Sequence, residues 1–83
     1  MVFISRFEKM KMPHEDWKRR IEQVQKLDDE KKLIEIAIND PNINVRLAAI
    51  EKINNDSILI DIAANDSNKT VRLAAAERLS RLK

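Results

Sequence analysis

The chain has 83 residues, with 16 basic and 14 acidic side chains and a net charge of +2, far from the one-sided balance of a dedicated nucleic-acid binder. It contains no Cys and a single His, which excludes disulfides and thiolate metal sites and leaves nucleophilic catalysis little to work with. Gly is absent and the only prolines are Pro13 and Pro41, so there is no phosphate-cradling Gly loop, flexible linker or β-hairpin turn.

A chain of this length makes one domain, residues 1–83, able to bury about 60–65% of the surface its unfolded form exposes. The opening MVFISRF is too short for a signal-peptide core, and no apolar run approaches the ~18 residues of a membrane span. These features predict a continuously helical, soluble, cytoplasmic protein that uses no cofactor and no metal.

Taken in order, residues 3–12 place Phe3, Phe7 and Met10 at helical spacing, and Pro13 ends that helix. The following stretch sets Trp17, Ile21, Val24 and Leu27 at steps of four, three and three, with Glu15 and Asp16 in the first turn, where the helix dipole favours acids. Asp28 or Asp29 caps a third helix carrying Leu33, Ile34, Ile36 and Ala37. Asn39 ends it, tolerating the left-handed backbone that Gly usually supplies at a helix C-terminus. Asp40 then caps a fourth helix with Pro41 at its first position. That helix runs to about Ile53. Asn54 and Asn55 break the chain, Asp56 or Ser57 caps a fifth helix, Asn65 ends it, and Asp66 caps a sixth.

The later part of the chain says one thing twice. Residues 33–53, LIEIAINDPNINVRLAAIEKI, match residues 59–79, LIDIAANDSNKTVRLAAAERL, at 13 of 21 positions with a displacement of 26. A period of this size with an Asp-containing break in each unit predicts stacked helical hairpins. Shifting back by 26 sets Phe7 on Leu33, Met10 on Ile36, Arg20 on Arg46 and Leu27 on Ile53. The repeats therefore read as 3–27, degenerate, then 28–53 and 54–82.

On a wheel of about 100° per residue, Val45, Ala49, Ile53, Ile50, Ile43 and Leu47 fill one arc of the fourth helix. Asn44, Ala48, Glu51 and Lys52 fill the other. Arg46 falls inside the apolar arc, where a charge must be paired or reach water. Arg20 and Arg72 occupy the same place, and Arg46 and Arg72 each follow a turn Asp, Asp40 or Asp66, by six residues. A guanidinium there can bridge those carboxylates, within its own repeat or onto the next, so Asp40, Arg46, Asp66 and Arg72 are expected to be structural.

The string from Asn39 to Ile53 and again from Asn65 to Leu79, with its Asn-Asp-x-Asn turn and Val-Arg-Leu-Ala-Ala helix, resembles the HEAT repeat, particularly the short kind first grouped with phycobilisome lyase subunits. The resemblance covers residues 29–82 well. It covers 3–27 weakly, where His14 stands at the turn Asp and Arg19 at the apolar residue of the Val-Arg pair. It implies an all-α fold, an α-solenoid of three antiparallel hairpins in a right-handed superhelical stack. It also implies a non-catalytic scaffold that binds through its second helices, with the Asp and Arg of each turn forming a ladder between repeats.

Stacking would align Lys18, Asn44 and Thr70; Glu22, Ala48 and Ala74; Gln25, Glu51 and Glu77; and Lys26, Lys52 and Arg78 into rows. Lys26, Glu51, Lys52, Glu77 and Arg78 are therefore the candidate contacts for a protein partner of complementary charge, against the plainer reading of a solvated helix face. Trp17 reads as a core plug and His14–Glu15 as an isolated pair, insufficient for a metal. Val71, Leu73, Leu79 and Leu82 leave the last helix apolar, which predicts self-association or docking at the solenoid end. Two other readings stand beside the scaffold. One is nucleic-acid backbone binding by residues 1–20, where six basic residues face three acidic ones. The other is an accessory subunit of a repeat-containing enzyme such as a bilin lyase.

Overall fold

A computed structural model describes residues 16–82, all of whose regular structure is helical. The helix expected over residues 3–12, together with His14 and Glu15, lies outside the described residues. Five helices follow one another: α1 at 16–26, α2 at Glu30–Asn39, α3 at Ile43–Ile50, α4 at Asp56–Asn65 and α5 at Lys69–Leu82. None is long and apolar enough to cross a membrane. Helix α2 packs on α3, α4 packs on α5, and α3 joins the two pairs by packing on α5.

Short polar caps start these helices. The Asp29 side chain accepts the Lys32 amide and Glu30 sits in the first turn of α2, supplying a negative charge where the helix dipole is positive. Asn55 accepts the Ile58 amide at 3.1 Å and begins α4. The two turns within the pairs are built differently from the expectation. The residue that caps α3 is Asn42, which accepts the amides of Asn44 and Val45, not Asp40. Likewise Asn68, not Asp66, accepts the Val71 amide at the head of α5. Asp40 and Asp66 stand two residues earlier and close Asx turns, accepting the amides of Asn42 at 2.8 Å and Asn68 at 2.9 Å.

This moves Pro41 out of the helix and into the turn. Asn39 is also reassigned: it is the last residue of α2, the C-cap is Asp40 in extended backbone, and no described residue has positive φ. With an Asx turn joining the helices, no left-handed residue is required. Asn55 rather than Asp56 or Ser57 caps α4, and α3 ends at Ile50 with Glu51 and Lys52 forming a turn.

The core is one cluster that includes Val24, Leu33, Ala37, Val45, Ala49, Ile50, Ile53, Leu59, Ile62, Val71 and Ala75. Ile50 and Ile53 are fully buried, each contributing about 2–3 kcal/mol by removing its side chain from water. Trp17 is half-buried and packs against this cluster, with the Lys18 ammonium 5.7 Å from its ring centroid.

Candidate functional site

Two sets of polar contacts tie the helices together, both recurring with the sequence. In the first, Arg20 grips Asp40 with two donors, Nε to Oδ2 at 3.0 Å and Nη2 to Oδ1 at 3.2 Å. Arg46 donates to Asp66 across the same separation of twenty residues, but with the single donor Nη2, while its Nε reaches the Ala37 carbonyl at 2.6 Å. Arg72 turns back on its own repeat, donating from Nη1 to the Asp66 carbonyl at 2.6 Å. Of the four residues expected to be structural, Arg46 and Asp66 pair with each other, Asp40 pairs with Arg20, and Arg72 meets only the Asp66 carbonyl.

Asp66 sits at its centre. Burial pushes its carboxyl up, but the Asn68 amide, the Arg46 guanidinium and the charge of Arg72 outweigh this and hold it below the ordinary carboxylate value. The Asp40 carboxylate accepts from Arg20 and from the Asn42 amide at once.

The second set closes the ends of the second helices. The Lys52 ammonium donates to three carbonyls at the end of α1, those of Val24, Gln25 and Leu27, at 3.1, 2.8 and 2.5 Å. Arg78, 26 residues later, donates to the Ile53 carbonyl at 3.0 Å and the Asn54 side chain at 2.9 Å beyond the end of α3. A cation on carbonyls at or just past a helix C-terminus is favoured by hydrogen bonding and by the helix dipole. From the other side, Glu30 accepts the amides of Asn54 and Asn55.

Of the five side chains expected to meet a partner, Lys26, Glu51 and Glu77 are exposed, while Lys52 and Arg78 are half-buried with their charges engaged on backbone. Glu51 pairs with Arg81 at 2.7 Å, and that hydrogen bond holds its carboxyl below the ordinary value against the opposing effect of desolvation. Gln25 and Glu22 are exposed, and Ala48 and Ala74 are half-buried between the charged positions. The capping role of Lys52 and Arg78 was missed because nothing local marks it: the carbonyls they reach lie 25–28 residues away. The one available signal was their own spacing of 26.

Among the described residues no three His, Asp or Glu side chains converge as a metal site. A cavity of about 210 Å³ lies between α1, α2 and α3, lined by Val24, Leu27, Ile36 and Val45 together with Arg20 and Asp40. Its charged groups, Arg20 and Asp40, are paired with each other, and Gln23 also lines it. Comparisons with family models, curated proteins and solved structures return no match.

Proposed function

We propose that this chain is a non-catalytic HEAT-like interaction module, an α-solenoid that presents the solvent face of its second helices, α1, α3 and α5, to a protein partner. The observation that carries this reading is the recurrence of one Arg-to-Asp contact, Arg20 to Asp40 and Arg46 to Asp66, at one separation. Such recurrence is what stacked copies of a unit produce. The half-buried charges are consumed in holding repeats together, which argues against chemistry and for a rigid surface. The proposed contact residues are Lys26, Glu51 and Glu77, with Gln25 and the small Ala48 and Ala74 leaving room for a partner backbone to approach.

The nucleic-acid reading draws on exposed Lys18 and Arg19, but Arg20 beside them is spent on Asp16 and Asp40. Affinity capture from source lysate, with and without nuclease, separates the readings. A protein that survives nuclease and is lost on combining Lys26→Glu with Glu51→Lys and Glu77→Lys supports the second-helix face. Capture indifferent to those reversals overturns it, and capture abolished by nuclease moves binding to a phosphate backbone. A retained partner that is a repeat-containing enzyme would make the chain its accessory subunit.

A further inference from the structure

The repeat at 28–53 shows what covers its own outer side, and the repeat at 54–82 carries the same side uncovered. Ile50 and Ile53 are fully buried, and Leu47 and Ile34 are half-buried. Moving each by 26 gives Ala76, exposed; Leu79, half-buried; Leu73, 58% exposed; and Ile60, 52% exposed. Positions that face inward within one helix pair do not change in this way: Leu33 and Leu59, Val45 and Val71, and Ala49 and Ala75 are buried in both copies. What distinguishes the earlier pair is that α5 packs on its α3, and among the described residues no helix follows to pack on α5 in the same way. On α4 and α5 that side remains apolar and is open.

The polar contact at this side is repeated as well. Arg46 spans to the Asp66 turn of the pair that covers it, whereas Arg72, its equivalent, reaches only the carbonyl of Asp66 in its own turn. We infer that the open face formed by Ile60, Leu73, Ala76 and Leu79 is a docking site for a partner's helical hairpin that carries an aspartate at its turn, the carboxylate meeting Arg72 as Asp66 meets Arg46. The charge selects this occupant over a second copy of the chain. Two such faces meeting each other would oppose Arg72 to Arg72, and shifting the sequence back from Asp40 by 26 gives His14, so residues 3–27 offer no acid at the equivalent position.

The chain's own last repeat supplies the probe. A synthetic peptide of residues 54–82 is titrated into the isotopically labelled 83-residue protein, with methyl and amide shifts read by NMR. Saturable shifts centred on Ile60, Leu73 and Leu79 are expected, lost with Leu73→Glu in the protein. Replacing Asp66 by Asn in the peptide should weaken binding by about tenfold, the loss of one charge-assisted contact. Shifts that ignore Leu73→Glu overturn the site.

A second measurement does not depend on the peptide folding alone. Inserting another copy of residues 54–79 between Leu79 and Ser80 covers the face in cis. Leu73→Glu should then lower the Tm of the lengthened chain sharply while leaving that of the 83-residue chain unchanged. Equal effects in both chains overturn the inference. So does self-association of the unmodified protein, in sedimentation, that Leu73→Glu abolishes, because it would place a second copy on the face.

Discussion

Arg46 donates to the carboxylate of Asp66 from a helix whose other inward residues are aliphatic, and the two side chains are only 13% and 11% exposed. The pair joins α3 to the turn before α5, as Arg20 and Asp40 join α1 to the turn before α3. Each Asp serves twice: one oxygen closes the turn on the amide two residues on, while the carboxylate receives the preceding repeat's Arg. Local turn geometry and long-range registry are thereby tied to one side chain, so a change at either Asp is felt in both.

Removing the guanidinium tests that coupling. Arg46→Met is expected to cost about 3 kcal/mol, because it strands the Asp66 carboxylate at a poorly solvated site. Arg20→Met also strands a carboxylate, Asp40, that is only 10% exposed, and should cost about 2 kcal/mol, the smaller loss arising because the Arg20 side chain is itself 29% exposed and better screened. Urea denaturation of both variants, with an Arg46–Asp66 double-mutant cycle, checks the order. Equal losses would show that burial does not set the strength of the rungs.

The lowered Asp66 carboxyl gives the ladder a pH dependence. A group whose folded value lies below its unfolded value, near 4 for Asp, contributes its full stability above the unfolded value and loses it as pH falls through the folded one. The stability gap between the natural protein and Asp66→Asn should therefore be widest at neutral pH and close as the solution is acidified below about pH 4. Thermal melts of both proteins across that range measure it; a gap that grows on acidification would contradict the assignment.

Lys52 is expected to act on a helix other than its own. Lys52→Met should raise amide hydrogen exchange at the end of α1, around Leu27, with a stability loss of about 1–2 kcal/mol from three carbonyls losing a charged donor. If exchange rises only within α3, the cap is not energetically significant. Lys52 and Arg78 reversals are not clean binding variants, since Lys52 holds carbonyls at the end of α1 and Arg78 holds Ile53 and Asn54 in the segment between α3 and α4.

The repeats also make a paired prediction about packing. Ile50→Ala should cost about 2–4 kcal/mol through lost burial and the cavity left behind. Alanine already occupies the equivalent position 76, which is exposed, and Ala76→Val there should change stability by less than about 0.5 kcal/mol. Denaturation midpoints of the two variants decide it.

Much of this architecture was legible in the sequence because the relevant signal was periodic. Leu33, Val45 and Ala49 recur as Leu59, Val71 and Ala75, all buried, and the Arg residues inside an apolar arc had to be paired for physical reasons that hold in any helical stack. What escaped was the division of labour among polar turn residues. Asp40, Asn42, Asp66 and Asn68 are all good caps by type, and Pro41 at a presumed first helical position favoured Asp40. Tertiary contact chose otherwise: the Asp carboxylates are drawn to the preceding repeat's arginines, leaving the cap to the neutral Asn two residues later. The ends of the second helices were opaque for a similar reason, since their caps come from 25 or more residues away.

That division of labour makes the last prediction. Asn42 serves only α3, accepting the amides of Asn44 and Val45, so Asn42→Ala should cost about 1 kcal/mol, the usual loss of an N-cap. Asp40→Ala removes the Asx turn and also strips Arg20 of a two-donor partner, and should cost about 2–3 kcal/mol. Adding Arg20→Met to each variant separates the two roles. It should be additive with Asn42→Ala, whose partners it does not touch, and markedly less than additive with Asp40→Ala. If Asp40 were the helix cap and nothing more, both combinations would be additive, and the ladder would have no energetic meaning at its first rung.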